Sequence, residues 1–286
     1  MFKKICIIGV GLMGGSIAKA SRENGLCNEI VGVGRNRENL QLACDLGVID
    51  KFTSDILEGA SGADLVVVCT PVGSFNEVLK ELKKTWDSEC LYTDVGSTKA
   101  SVVDSLSSVF TTIPQNFVPA HPIAGSEKNG VEASQLDLFK GKRVILTPVS
   151  DTQIAAQERC SAWWNAMGAK VSSMSVEHHD EVLAATSHLP HVLAFSLVEL
   201  LKNKEDEKEI FKYAAGGFKD FTRIASSDPQ MWADICLANK APLLKLIDDY
   251  QSMNQKIARL IEKGDEQGLL SLFESARIAR NNFMTK

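Results

Sequence analysis

The chain has 286 residues, 44% of them hydrophobic and 23% charged, which supports two folded domains with their own cores and argues against disorder. A net charge of -5 removes the broad basic surface that a nucleic-acid partner needs, so an anionic ligand has to be held by a few local cations. Seven scattered cysteines without a CxxC pair argue against a disulfide framework or a thiolate zinc site, and the N-terminus carries neither a signal h-region nor a membrane span, so a cytoplasmic protein with reduced thiols is expected.

In chain order, an apolar run from Lys4 to Ile8 stops at a glycine turn, and Ser16 to Asn24 reads as a helix ended by Gly25. Buried-strand runs follow at Glu29 to Val33, Ala63 to Thr70, Cys90 to Val95, Phe117 to Ala120 and Arg143 to Pro148, most of them separated by helical segments. A last helix and strand, Thr152 to Met167 and Lys170 to Met174, close this region. Alternating strands and helices predict an α/β domain with a doubly wound parallel sheet over residues 1–174. From Ser175 the β-branched runs cease, and residues 175–286 read as an all-α domain broken near Asn203 to Glu207, Ser226 to Pro229 and Lys263 to Gly268. The charged run Lys202 to Glu209 reads as a solvated helix end or loop.

The first turn is Gly9-x-Gly11-x-x-Gly14, directly after a strand and directly before a helix. That context makes it a Rossmann dinucleotide fingerprint. Gly9 permits the tight turn, Gly11 lets a pyrophosphate approach the backbone, and Gly14 lets the helix pack closely, with Leu12 and Met13 in the turn between. An NAD enzyme usually carries an Asp or Glu at the end of the second strand to bind the ribose hydroxyls. Here that place reads Gly34-Arg35-Asn36-Arg37, with no carboxylate and two guanidinium groups able to pair with a 2′-phosphate. NADP is therefore expected over NAD; the alternative is that both arginines are solvated loop residues. Thr70-Pro71, after a later strand, should also face the dinucleotide.

Four of the five histidines, His178, His179, His188 and His191, fall within fourteen residues, and the fifth, His121, ends a strand. No HExxH motif accompanies them, so proton transfer or hydrogen bonding is favoured over a metal, and none is expected. Taken alone, His121 is either a satisfied structural histidine or a base facing the crevice at the sheet's carboxyl edge. Three blocks narrow the choice: Asp94-Val-Gly-Ser-Thr-Lys99, His121-Pro-Ile-Ala-Gly-Ser-Glu127 and Ser187-His-Leu-Pro-His191. Together with Phe218-Lys-Asp-Phe-Thr-Arg223 and the following segment to Trp232, they resemble the motif set of the prephenate/arogenate dehydrogenase family across residues 3 to 283. One departure is Lys219, where many relatives carry Arg.

The resemblance implies oxidative decarboxylation of a small cyclohexadienol, prephenate or its amino analogue arogenate, with hydride passed to NADP or NAD. It implies that His121 and Ser97 act on the ring hydroxyl and that Arg223 grips a carboxylate as a buried guanidinium. Ser187 and His191, with His179 nearby, anchor the side-chain carboxylate, and Ser126 and Glu127 form the polar rim at the entrance. Neutral Met231, beside Trp232, favours prephenate over the ammonium of arogenate. His178 and His188 are expected to pack or to face solvent, and His121 to lose activity on the acid side near the ordinary imidazole value of about 6.5. The helical domain is read as a homodimerisation domain, with Trp232 lining the partner's site and no room for a fused regulatory domain. Rival readings are a β-hydroxyacid or 6-phosphogluconate type dehydrogenase, whose catalytic lysine is missing from Ser175 to Leu201, and a non-catalytic NADP-binding protein.

Overall fold

The computed structural model describes residues 2–284 and contains two compact units, Met1–Lys240 and Ala241–Lys286. The first begins with β1 (Phe2–Ile8), α1 (Leu12–Glu23), β2 (Cys27–Val33), α2 (Arg37–Asp45), β3 (Lys51–Thr53), α3 (Ile56–Ala60), β4 (Leu65–Val68), α4 (Phe75–Lys83), β5 (Leu91–Asp94), α5 (Ala100–Val109) and β6 (Phe117–Val118). These six strands form one parallel sheet in the order β3-β2-β1-β4-β5-β6. The chain reverses its winding between β1 and β4, and ligands of such sheets bind in the crevice beyond that point. The doubly wound domain expected from the alternation is present.

Both faces of the sheet are covered, so the central strands are apolar on both sides and carry no polar alternation. Along β1, Ile5 and Ile7 join one core with Ile17, Leu65 and Trp164, while Cys6 and Ile8 join the other with Val66, Phe75 and Tyr92. Each fully buried Ile or Leu contributes about 1.5–3 kcal/mol relative to an exposed one, so the pattern of β1 and β4 fixes both layers at once.

Three details depart from the sequence reading. Helix α1 starts at Leu12, not Ser16, because the fingerprint residues Leu12 to Gly15 are themselves its first turn. Strand β3 was not anticipated: it is three residues long, half exposed, and too short to show a period. The run 117–120 splits into β6 and β7 (Ala120–Pro122), since Pro119 has no N–H to continue the ladder. Strand β7 then pairs antiparallel with β8 (Arg143–Leu146), and β8 pairs in parallel with β9 (Lys170–Ser173). The last two strands therefore form a separate three-stranded sheet with β7, and α6 (Ile154–Ala166) connects them.

After β9 the chain is helical: α7 (Val176–Leu183), a π turn (Ala184–His188), α8 (Leu189–Lys202), α9 (Glu207–Lys212), α10 (Gly216–Thr222), a 3-10 turn (Arg223–Ser226) and α11 (Pro229–Ala238). Pro190 cannot donate to the carbonyl of Thr186, and the helix accommodates this without ending. One turn earlier it widens, so that the Leu189 N–H reaches the carbonyl of Ala184, five residues back. Among the described residues, Val176–Lys202 is the one helical stretch long and apolar enough to cross a membrane by length and composition, and 22% of its apolar window is buried. The second unit consists of α12 (Lys240–Glu262), whose first residue belongs to the first unit, and α13 (Glu266–Met284). Its helices leave Leu270, Phe273 and Ile278 about half exposed.

Candidate functional site

The glycine turn has the geometry its spacing predicts. Gly9 has φ +99°, and a Cβ there would lie 2.8 Å from the carbonyl oxygen of Cys69. A Cβ on Gly14 would collide with the carbonyl of Gly9, so α1 can lie this close to β1 only with glycine. A Cβ on Gly11 would meet nothing within 4 Å, which leaves its backbone open to a ligand. No side chain caps α1, so its first N–H groups are available to a phosphate. The turn opens on a cavity of about 570 Å³ at the sheet's switch point.

Gly9, Gly11, Gly34, Arg35, Asn36, Thr70 and Pro71 line that cavity, and the buried hydroxyl of Thr70 finds no partner within the described residues. An open glycine backbone, an uncapped helix and an unpartnered hydroxyl together fit a dinucleotide. Leu12, Met13, Gly14, Arg37 and Ser97 are not part of the lining. Gly14 acts through packing, and the Arg37 guanidinium lies 5.5 Å from the centre of the Phe52 ring. Asn36 also caps α2 by accepting the Asn39 N–H, and Glu77 and Glu81 of α4 bring negative charge to the same cavity.

His121 sits on β7 at the carboxyl edge, 8% exposed. Its position is fixed from β5. Asp94, at the end of β5, accepts the Ala120 N–H at 3.0 Å and pairs with the buried Lys99, whose ammonium also donates to the Ala120 carbonyl at 2.7 Å. The Nδ1 of His121 lies 2.9 Å from Nε2 of His179, and Nδ1 of His179 lies 2.7 Å from Oδ1 of Asp180. Asp180 in turn accepts the backbone N–H groups of Lys99 at 2.8 Å and Ala100 at 2.9 Å, which ties α7 to the N-terminus of α5. Ser97 is half-buried in the loop between β5 and α5.

His179 was expected beside the substrate's side-chain carboxylate, but it is fully buried and both its ring nitrogens are taken, by His121 and by Asp180. Arg223 was expected to be buried, yet 63% of its side chain is exposed, because it sits on the short 3-10 turn after α10 and pairs with Glu127. Ser126 is exposed beside this pair and accepts the Lys128 N–H. Ser187 is half-buried on the π turn. His191 donates from Nδ1 to the Ser187 carbonyl at 2.8 Å and stacks on Trp232 at 3.6 Å, so Trp232 packs on a histidine of its own chain. Met231 is exposed. His178 is exposed and His188 is buried against Asn239, as anticipated.

Burial above all, with neighbouring His179 and Lys99, holds the His121 imidazole well below its ordinary range, so it is neutral at physiological pH. Burial likewise lowers His179 and takes His188 from 6.5 to about 4. For Asp180 burial alone would raise the carboxyl, but the bonds from His179 and from the Lys99 and Ala100 amides overcome it and keep it ionised.

These shifts predict an acid-labile fold. Between 6.5 and about 4 the unfolded chain protonates His188 while the folded chain does not, so stability is full above 6.5 and falls as pH drops towards 4. At about 1.4 kcal/mol per pH unit, this one histidine removes on the order of 3 kcal/mol. Calorimetric Tm should fall steadily across that window; a constant Tm would contradict the burial of these groups as neutral species.

A dinucleotide cleft at the switch point and a neutral imidazole on β7, just beyond the carboxyl end of β6, are the features of a nicotinamide-dependent oxidoreductase. Residues 17–173 match the prephenate dehydrogenase nucleotide-binding domain and residues 175–275 match its dimerization domain, so the chain belongs to the prephenate dehydrogenase family. It is 36% identical over 285 residues to the cyclohexadienyl dehydrogenase of Zymomonas mobilis, covering 98% of this chain and 96% of that one. To the prephenate dehydrogenase of Bacillus subtilis it is 39% identical over 279 residues, covering 97% of this chain and 75% of the relative. The crystal structure of A. aeolicus prephenate dehydrogenase in complex with hydroxyphenyl propionate and NAD+ superposes with a TM-score of 0.91 at 39% identity, over 99% of each chain.

The sequence reading missed Asp180, Lys99 as a side chain, and Asn239, which donates to both His188 and the Asp180 carbonyl. For Asp180 a signal was present, since it directly follows His178-His179 and a carboxylate beside a histidine pair is a natural orienting group.

Proposed function

We propose that the chain oxidises and decarboxylates prephenate to 4-hydroxyphenylpyruvate, with residues 1–174 holding the dinucleotide and residues 175–286 serving substrate binding and homodimerisation. The observation that carries this reading is the buried, neutral His121, backed by His179 and Asp180, in a member of this family. A nicotinamide held in the cavity would supply the acceptor for the hydride that leaves the carbinol carbon. The ring carboxylate leaves as carbon dioxide, and its bonding pair completes the aromatic ring. The hydroxyl proton is shared with His121 in the transition state and returns to the phenol oxygen, so no net proton is consumed. Ser97 bonds the same hydroxyl. Arg223 exchanges Glu127 for the substrate's carboxylate, with Ser126 beside the entrance, while Ser187 and His191 hold the side-chain carboxylate and Trp232 fixes His191 by stacking.

Arg35 supports NADP as the preferred cofactor; Arg37, engaged with Phe52, adds nothing to that preference. NAD is the second reading, supported by the NAD+ in the A. aeolicus complex and by Glu77 and Glu81 in the cavity, which disfavour a further phosphate. Exposed Met231 supports prephenate over arogenate, and the Zymomonas relative's name supports dual use as the alternative. The half-exposed apolar side chains of the second unit and the match to a dimerization domain support a homodimer; the net charge of -5 supports a cytoplasmic protein without a nucleic-acid partner. The test is an absorbance assay of reduced dinucleotide formed from prephenate and arogenate, each with NADP and NAD. Turnover of prephenate with the higher kcat/KM for NADP is expected; no turnover of either substrate would overturn the function, and a strong NAD preference would overturn the cofactor reading.

A further inference from the structure

Proton-bearing nitrogens can be deduced along the buried chain behind His121, starting from its far end. Asp180 accepts two backbone N–H bonds and is ionised, so towards His179 it can only accept, and Nδ1 of His179 must carry the proton. A neutral His179 then has its lone pair on Nε2. The 2.9 Å contact to His121 therefore requires His121 to donate from Nδ1. That leaves the lone pair of His121 on Nε2.

We propose that Asp180, acting through His179, is a positioning residue that fixes His121 as the tautomer with its proton on Nδ1 and its accepting lone pair on Nε2, the nitrogen turned away from the relay. A lone neutral imidazole in water populates both tautomers, and only the form with its lone pair on Nε2 can accept an alcohol's hydrogen bond at that nitrogen. The relay removes the unproductive form. It also gives a transient imidazolium at His121 a path to charge compensation, because its Nδ1 proton points at His179 and hence at the Asp180 carboxylate. Other charged or titratable groups that face His121 are Lys99, whose ammonium Asp94 neutralises, and His188, held neutral by burial. Neither bonds a nitrogen of His121, so the tautomer is set from Asp180 alone. The same carboxylate locks α7 to the first turn of α5, so helix docking and tautomer choice share one group.

The inference rests on His121 as the acceptor of the substrate hydroxyl, but its test is independent of turnover. In histidine-labelled protein without substrate, two-bond proton–nitrogen correlation spectra distinguish the two tautomers. His121, assigned by its loss in His121→Asn, should show a protonated Nδ1 and a bare Nε2 at neutral pH, and so should His179. A proton on Nε2 of His121 would overturn the proposal whatever the activity. In Asp180→Asn the charge that orders the relay is lost. Its kcat should fall by about 10²-fold or more, as when a histidine's orienting carboxylate is neutralised, with KM for the dinucleotide unchanged and a signal for Nε2–H appearing at His121. A folded Asp180→Asn enzyme with wild-type kcat would also overturn it. If that variant does not fold, the wild-type spectrum decides alone.

Discussion

Replacing His121 with asparagine should lower kcat by about 10²–10⁴-fold, the usual worth of a positioned general base, while KM for the dinucleotide stays unchanged. The selectivity follows from geometry: His121 is on β7 and is not among the residues that line the cavity, which come mainly from β1, β2, α2, β4 and α4 and the loops after the strands. Burial sets the pH response. Because the imidazole titrates well below its ordinary range, wild-type kcat should hold constant as pH falls through about 6.5 and decline only below it, and the variant should lack that decline. A His121→Asn enzyme with near-normal kcat would remove the residue from the chemistry.

Replacing Arg223 with alanine should raise KM for prephenate by about 10- to 100-fold, the cost of losing one or two charge-assisted hydrogen bonds at 1.5–3 kcal/mol each. The effect belongs on KM because a carboxylate grip acts in ground and transition states alike. In the structure the guanidinium is mostly exposed and paired with Glu127, and an exposed pair contributes little to stability, so Tm should barely change. An unchanged KM, measured by initial rates across prephenate concentration, would contradict the grip.

Sequence patterning carried most of the fold because β1 and β4 are buried on both faces and the glycine spacing has one structural use. Gly9 and Gly14 have the steric reasons the motif assigns them, while Gly11 has open space over its backbone. The parts that escaped are those decided by distant contacts. Nothing local marks β3, and the departure of β7, β8 and β9 into their own sheet turns on one missing N–H at Pro119. Among the candidate site residues, the sequence brought forward His121, Ser126 and Glu127 but misread the depth of others. His179, one residue from exposed His178, is fully buried because helix α7 turns that face towards the end of β7. Arg223 lies on the outside for the opposite reason, since its 3-10 turn presents it to Glu127 at the surface. Exposure of a charged side chain depends on which face of its element packs, and a single residue type does not encode that.

A crystal structure of the enzyme with oxidised dinucleotide and an unreactive analogue retaining the ring hydroxyl measures the central contact directly. Nε2 of His121 is predicted to lie within hydrogen-bond reach of that oxygen, about 2.6–3.2 Å, with Nδ1 still on His179. An imidazole turned from the hydroxyl, or an alcohol bound with no nitrogen of His121 in reach, would contradict the account.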